Sequence, residues 1–107
     1  MNAHAEILRN HPLFSRLNSR SLDQLTVNAS LVKFPKGSVI YKEGTPSDAL
    51  YLVLSGRCQS VIHLPGGQEH IINVYAPGDT FGERALISND VHWTTVKVIT
   101  DSTLLRI

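Results

Sequence analysis

The chain has 107 residues, with ten Lys and Arg against nine Asp and Glu and a formal net charge of +1. That is enough for one compact domain and not two. The even charge, with no run of Lys and Arg, excludes a general nucleic-acid surface built by this segment alone.

The single cysteine, Cys58, has no internal disulfide partner. No apolar run reaches the length of a membrane span. The start, Met1-Asn2-Ala3-His4-Ala5-Glu6, lacks the basic and apolar regions of a signal peptide. A cytoplasmic domain, or a cytosolic domain of a larger protein, is expected.

In chain order, Ala3 to Arg9 predicts a short helix that ends at His11-Pro12, because proline disfavours helix in the residue before it. Leu13 to Leu17 reads as a brief apolar turn. Ser19 or Ser21 is placed to cap a second helix, with Leu22, Leu25 and Ala29 on one face. Two roles stay open for these helices: packing against a sheet, or relaying ligand occupancy.

After Ser30 the pattern changes to strands. Short β-rich runs cover Leu31–Phe34, Ser38–Tyr41, Leu50–Leu54, Arg57–Leu64, Glu69–Tyr75, His92–Ile99 and Thr103–Ile107. Glycines punctuate them at short spacing. Such a pattern predicts a sandwich, jelly roll or barrel. Leu64 to Glu69 predicts a hairpin on a two-residue Gly66-Gly67 turn, which would set His63 opposite His70. Two imidazoles without a third histidine and a carboxylate do not make a metal site, and none is expected. Cys58 reads as a buried small hydrophobe. The domain boundaries expected are a helical segment over 1–30 and a strand-rich segment over 31–107, together one domain.

The stretch Pro77-Gly78-Asp79-Thr80-Phe81-Gly82-Glu83-Arg84-Ala85-Leu86 carries most of the functional information. It reads as a tight turn running into a short helix. Gly82 permits close backbone approach. The amides that follow it would be the unpaired donors of a helix start, which attracts an anion. A carboxylate beside an anion site makes sense if Glu83 accepts from a sugar hydroxyl while the amides hold a phosphate.

With Phe34-Pro35-Lys36-Gly37, Ile40-Tyr41-Lys42-Glu43-Gly44 and Asp48 to Gly56, this stretch resembles the phosphate-binding cassette of the cyclic nucleotide-binding domain family, over about Leu13 to Ile107. The resemblance implies a mainly β fold: an eight-stranded β-roll or jelly roll with short N-terminal helices and a short helix in the cassette. It implies a regulatory domain that senses cAMP or cGMP and passes occupancy to an output domain. It implies a phosphate cradle from Phe81, Gly82, Glu83, Arg84, Ala85 and Leu86, with Glu83 on the ribose. Family lid helices after the last strand are missing from this sequence, so an excised domain or an N-terminal piece is expected.

The family's phosphate-pairing arginine falls on His92. Neutral histidine offers one N–H and no charge where arginine offers a planar cation. Three readings of His92 stay open: weak phosphate contact, a pocket that no longer binds, or a histidine outside the pocket. Alternation sets Trp93 on the opposite face, packed beneath the helices or crowding the phosphate. It returns Thr94 to the pocket face, with Val96 and Val98 as core. Ile72 and Val74 are candidates near sugar and base, or ordinary core. A degenerate structural or interaction module is the second function that fits. Nothing in the sequence supplies the paired groups of an enzyme.

Overall fold

A computed structural model describes residues 3–12, 14–82 and 91–107. The expected cassette helix, with Glu83, Arg84, Ala85 and Leu86, lies outside the described residues, as does Leu13.

Two helices open the chain, α1 (Ala3–Arg9) and α2 (Ser19–Thr26). Asn18 caps α2, its side chain accepting from the Ser21 amide at 2.8 Å. The cap is thus one residue earlier than Ser19, and its oxygen satisfies a donor the helix cannot. Both helices bury one face. Ala5, Leu8, Phe14 and Leu22 pack with Leu52 and Leu105 of the sheet and with Leu50 just before β3, and Leu25 and Ala29 lean on the same cluster. Thr26 Oγ1 donates to the Leu22 carbonyl at 2.7 Å and so is satisfied inside the helix.

Among the described residues the strands are β1 (Ser30–Phe34), β2 (Val39–Tyr41), β3 (Tyr51–His63), β4 (Glu69–Tyr75), β5 (Thr80–Phe81) and β6 (Thr95–Arg106). All pairings are antiparallel. The sheet runs β1-β6-β3-β4, with β2 on β6 and β5 on β3. The fold is mainly β, as expected, but two pairs of predicted runs are single long strands. Leu50–Leu54 and Arg57–Leu64 join in β3, and the last two runs join in β6. Register shifts at Ser55 and Arg57 bend β3 where the sequence suggested a break. Gly56 sits at that bend with φ +89°, and a Cβ there would lie 2.5 Å from the Asp101 carbonyl oxygen. Only glycine fits both the conformation and the close approach.

The β3–β4 hairpin differs from its prediction by one residue. Leu64 N–H donates to Gln68 O at 2.8 Å, and Gly67 N–H to Leu64 O at 3.0 Å. The loop is therefore Pro65-Gly66-Gly67 and not Gly-Gly alone. Proline at the second turn position and Gly66 with φ +95° at the third are the needs of a type II turn. The extra loop residue slips the register, so His63 pairs with Glu69 and Ile62 with His70. His63 and His70 do not face each other.

Cys58 is fully buried, and burial raises its thiol pKa. It sits with Val53, Val96, Val98 and Leu104 in a second core cluster, which also holds Tyr51 and Phe81.

Candidate functional site

The route into the cassette starts at a turn. Asp79 N–H donates to Ala76 O at 2.9 Å, and Asp79 Oδ2 accepts from the Ala76 amide at 2.8 Å. Val53 clamps this turn from β3, donating to Asp79 O and accepting from Gly78 N, both at 2.9 Å. His11 Nε2 donates to Gly78 O at 2.6 Å, tying the N-terminal segment to the same turn. The turn does not run straight on into a helix. Thr80 and Phe81 first pair with Leu52 and Tyr51 as β5.

Phe81 is 2% exposed. Its ring stacks on Tyr51 at 5.3 Å and tilts against Tyr75 at 4.8 Å, typical attractive ring geometries. The side chain is therefore core. Gly82 has φ +82°, and a Cβ on it would stand 2.6 Å from the Ala49 carbonyl oxygen. The close approach that demands glycine here is to the protein's own backbone.

Residues on the far side of 83–90 are pinned to the same segment. Val91 bridges Pro46. His92 N–H donates to Thr45 O, and Gly44 N–H donates to His92 O, both at 2.8 Å. Glu43 N–H donates to Thr95 Oγ1 at 3.1 Å. The span 43–49 thus clasps Gly82 at one end and Val91 to Thr95 at the other. In this clasp the Ser47 hydroxyl is buried and has no hydrogen-bond partner among the described residues.

His92 precedes β6 and does not open it. It is 6% exposed and lies flat on Tyr41, with centroids 3.5 Å apart and planes 7° apart. Burial pushes its pKa below the ordinary imidazole value, and the Asp48 carboxylate pulls the other way. Asp48 also lies 3.7 Å from Arg106 Nη2. Sequence reasoning placed Asp48 in a motif without giving it a role. Its role as the charge felt by His92 emerges only when the loop folds back.

Trp93 is 64% exposed, in contrast to the buried His92. It does not pack beneath the helices, because the chain bends at Trp93 and Thr94 before β6 begins. Thr94 is half-buried, and Thr95 and Val96 are both buried. The alternation therefore restarts at β6. Ile72 and Val74 are exposed on β4, as is Ile71, so these residues are not ordinary core. Among the described residues no group of His, Cys, Asp and Glu has a metal-holding arrangement. No helix there is long and apolar enough to cross a membrane.

Three known proteins frame this geometry. The chain is 29% identical over 96 residues to a CRP-like cAMP-activated global transcriptional regulator of Mycobacterium tuberculosis, covering 90% of this chain and 43% of that one. It superposes on the regulatory domain of Toxoplasma gondii PKA, crystallised with cAMP, with TM-score 0.85 and 29% identity over 97% of this chain and 40% of that chain. It also superposes on the regulatory subunit of a cAMP-independent protein kinase A from Trypanosoma brucei, with TM-score 0.85 and 25% identity over 98% and 39% of the two chains. The chain spans less than half the length of that transcriptional regulator. The family model described as "Cyclic nucleotide-binding domain" matches residues 31–107, and this chain belongs to that family.

Proposed function

We propose that this chain is a ligand-sensing regulatory domain that binds a 3′,5′-cyclic nucleotide, cAMP or cGMP, and couples its occupancy to an attached output domain. The clasp carries the reading. Residues 43–49 hold both flanks of 83–90 in one place, as a preorganised anion cradle requires. In this reading the backbone of Phe81 and Gly82 and the amides of Glu83, Arg84, Ala85 and Leu86 take the phosphate, and Glu83 takes the ribose. His92 and Thr94 approach the phosphate from the other flank, Trp93 lies at the rim, and Ile72 and Val74 offer apolar surface to sugar and base. The cytoplasm, as the compartment of soluble cyclic nucleotides, and a non-enzymatic role belong to the same proposal.

One observation favours a second reading, a module that keeps the fold without the ligand. His92 is stacked and buried in a setting that favours its neutral form, and a neutral imidazole is a poor replacement for a guanidinium. The likeness to a kinase subunit described as cAMP-independent is compatible with it. A charge-assisted hydrogen bond is worth about 1.5–3 kcal/mol. On the sensing reading His92→Arg therefore tightens cAMP or cGMP about tenfold or more, measured by thermal shift, where ligand at about a hundred times its Kd stabilises by about 2.7 kcal/mol. If neither the chain nor the arginine variant shifts with millimolar ligand, the module reading replaces the sensor.

A further inference from the structure

His63, at the end of β3, meets a different carboxylate with each ring nitrogen. Nδ1 lies 2.6 Å from Glu43 Oε1 and Nε2 lies 2.7 Å from Glu69 Oε2. An ionised carboxylate only accepts, so both bonds exist together only when both ring nitrogens carry hydrogen. A neutral imidazole donates from one nitrogen and turns a lone pair toward the other carboxylate.

The two carboxylates are not equally free to leave. Glu69 pairs with His63 across the β3–β4 ladder and also binds Lys97 of β6. It stays where it is when the imidazole loses its charge. Glu43 sits in the loop after β2, where Oε1 also accepts from the His63 backbone amide at 3.1 Å. Lys42 lines the same hollow from that loop, with Lys97 across from it. Among the described residues these four, Glu43, Glu69, Lys42 and Lys97, are the charged groups placed around the ring.

The loop bearing Glu43 is the one whose backbone bonds His92. Glu43 N–H bonds Thr95 Oγ1, and Gly44 N–H, the next along, bonds the His92 carbonyl. We propose that His63 is a proton-operated latch: protonated, it ties the β3–β4 hairpin to the loop that holds His92, and deprotonated, its ring keeps Glu69 and lets go of Glu43, which is left with the His63 backbone amide alone. The hydrogen bonds to Glu43 and then Glu69 hold the His63 pKa above its ordinary value, so the latch is closed in acid and opens as pH rises. The latch stands on the loop geometry and needs no nucleotide, so its failure is separable from failure of the sensing reading.

The test is an NMR titration of the ligand-free chain from about pH 5.5 to about 9, a span that brackets the histidine range. It follows the His63 ring and the exchange of the Gly44 amide, corrected for the intrinsic base dependence of exchange. The His63 midpoint is expected above about 6.5, and lower in Glu43→Gln. Gly44 exchange is expected to rise about two- to fivefold across that midpoint, the range that an exposed ion pair supports, and His63→Gln is expected to abolish the step. A His63 midpoint at or below the ordinary value overturns the latch. So does a Gly44 amide with no step, or with a step that survives in His63→Gln.

Discussion

His92 and His63 bond neighbouring residues of one short loop and are held in opposite ways. His92 is buried against Tyr41, with its backbone doubly bonded to Thr45 and Gly44. His63 is solvent-facing, bracketed by two acids. Burial favours the neutral ring and lowers the pKa, whereas paired carboxylates favour the cation and raise it. The same residue type therefore titrates in different windows within one clasp, and the loop between them feels both. This contrast rests on packing more than on residue identity.

The strongest way to break the contrast is to spoil the clasp at its Gly82 end. Gly82→Ala forces a side chain into a left-handed conformation and into the Ala49 carbonyl. Such backbone strain costs about 1–3 kcal/mol, and the displaced carbonyl adds to it. Chemical denaturation should show this loss, and the His63 titration should be unchanged. A neutral Gly82→Ala would mean that Gly82 is not pinned to Ala49.

A smaller effect separates the two rings by pH. The folded pKa of His92 lies below its unfolded value, so the unfolded chain binds more protons in that interval. Its stabilising contribution is present above about pH 6.5, the unfolded pKa, and falls away as pH drops through the lower folded value. The folded pKa of His63 is raised, so its contribution is present below that same unfolded pKa and is lost as pH climbs through the folded one. His92→Phe keeps a flat ring for Tyr41 and should remove the acid-side loss, leaving the alkaline-side loss intact. Melting curves across this range read both. An acid-side loss that persists in His92→Phe would assign it to another group.

The smallest effect concerns Ser47. Its buried hydroxyl bonds to nothing among the described residues, so its removal is expected to forfeit no hydrogen bond. Ser47→Ala should change stability by less than about 0.5 kcal/mol or raise it slightly. A loss well above 1 kcal/mol would show that the hydroxyl has a partner after all.

Much of the scaffold is legible in the sequence for simple reasons. Ala3–Arg9 is bounded by a proline, and β1, β2 and β4 are bounded by glycines and prolines, so local chemistry states their limits. The long strands β3 and β6 are not legible as single elements. Gly56 looks like a break and acts as a bend, because Asp101 and Ser102 press against it from a strand far away in sequence. The hairpin register fails at Pro65, which joins the loop and moves His63 from His70 to Glu69. That one-residue slip hides the Glu43–His63–Glu69 cluster, since Glu43 is brought there only by tertiary folding. For the site, Phe81, Gly82 and His92 can be picked from the order of motifs. The burial of His92, the charge of Asp48 and the orphan hydroxyl of Ser47 follow from how the 43–49 loop closes, and no periodicity announces them.

Calorimetric titration with cAMP and with cGMP, run near pH 7.5 and again near pH 5.5 so that histidine gains its proton, tests the central claim most directly. The account predicts one saturable site for at least one of the two nucleotides, with tighter binding and proton uptake on the acid side as His92 charges against the phosphate. Absence of binding heat at millimolar ligand at both pH values, in the chain and in His92→Arg alike, would contradict it.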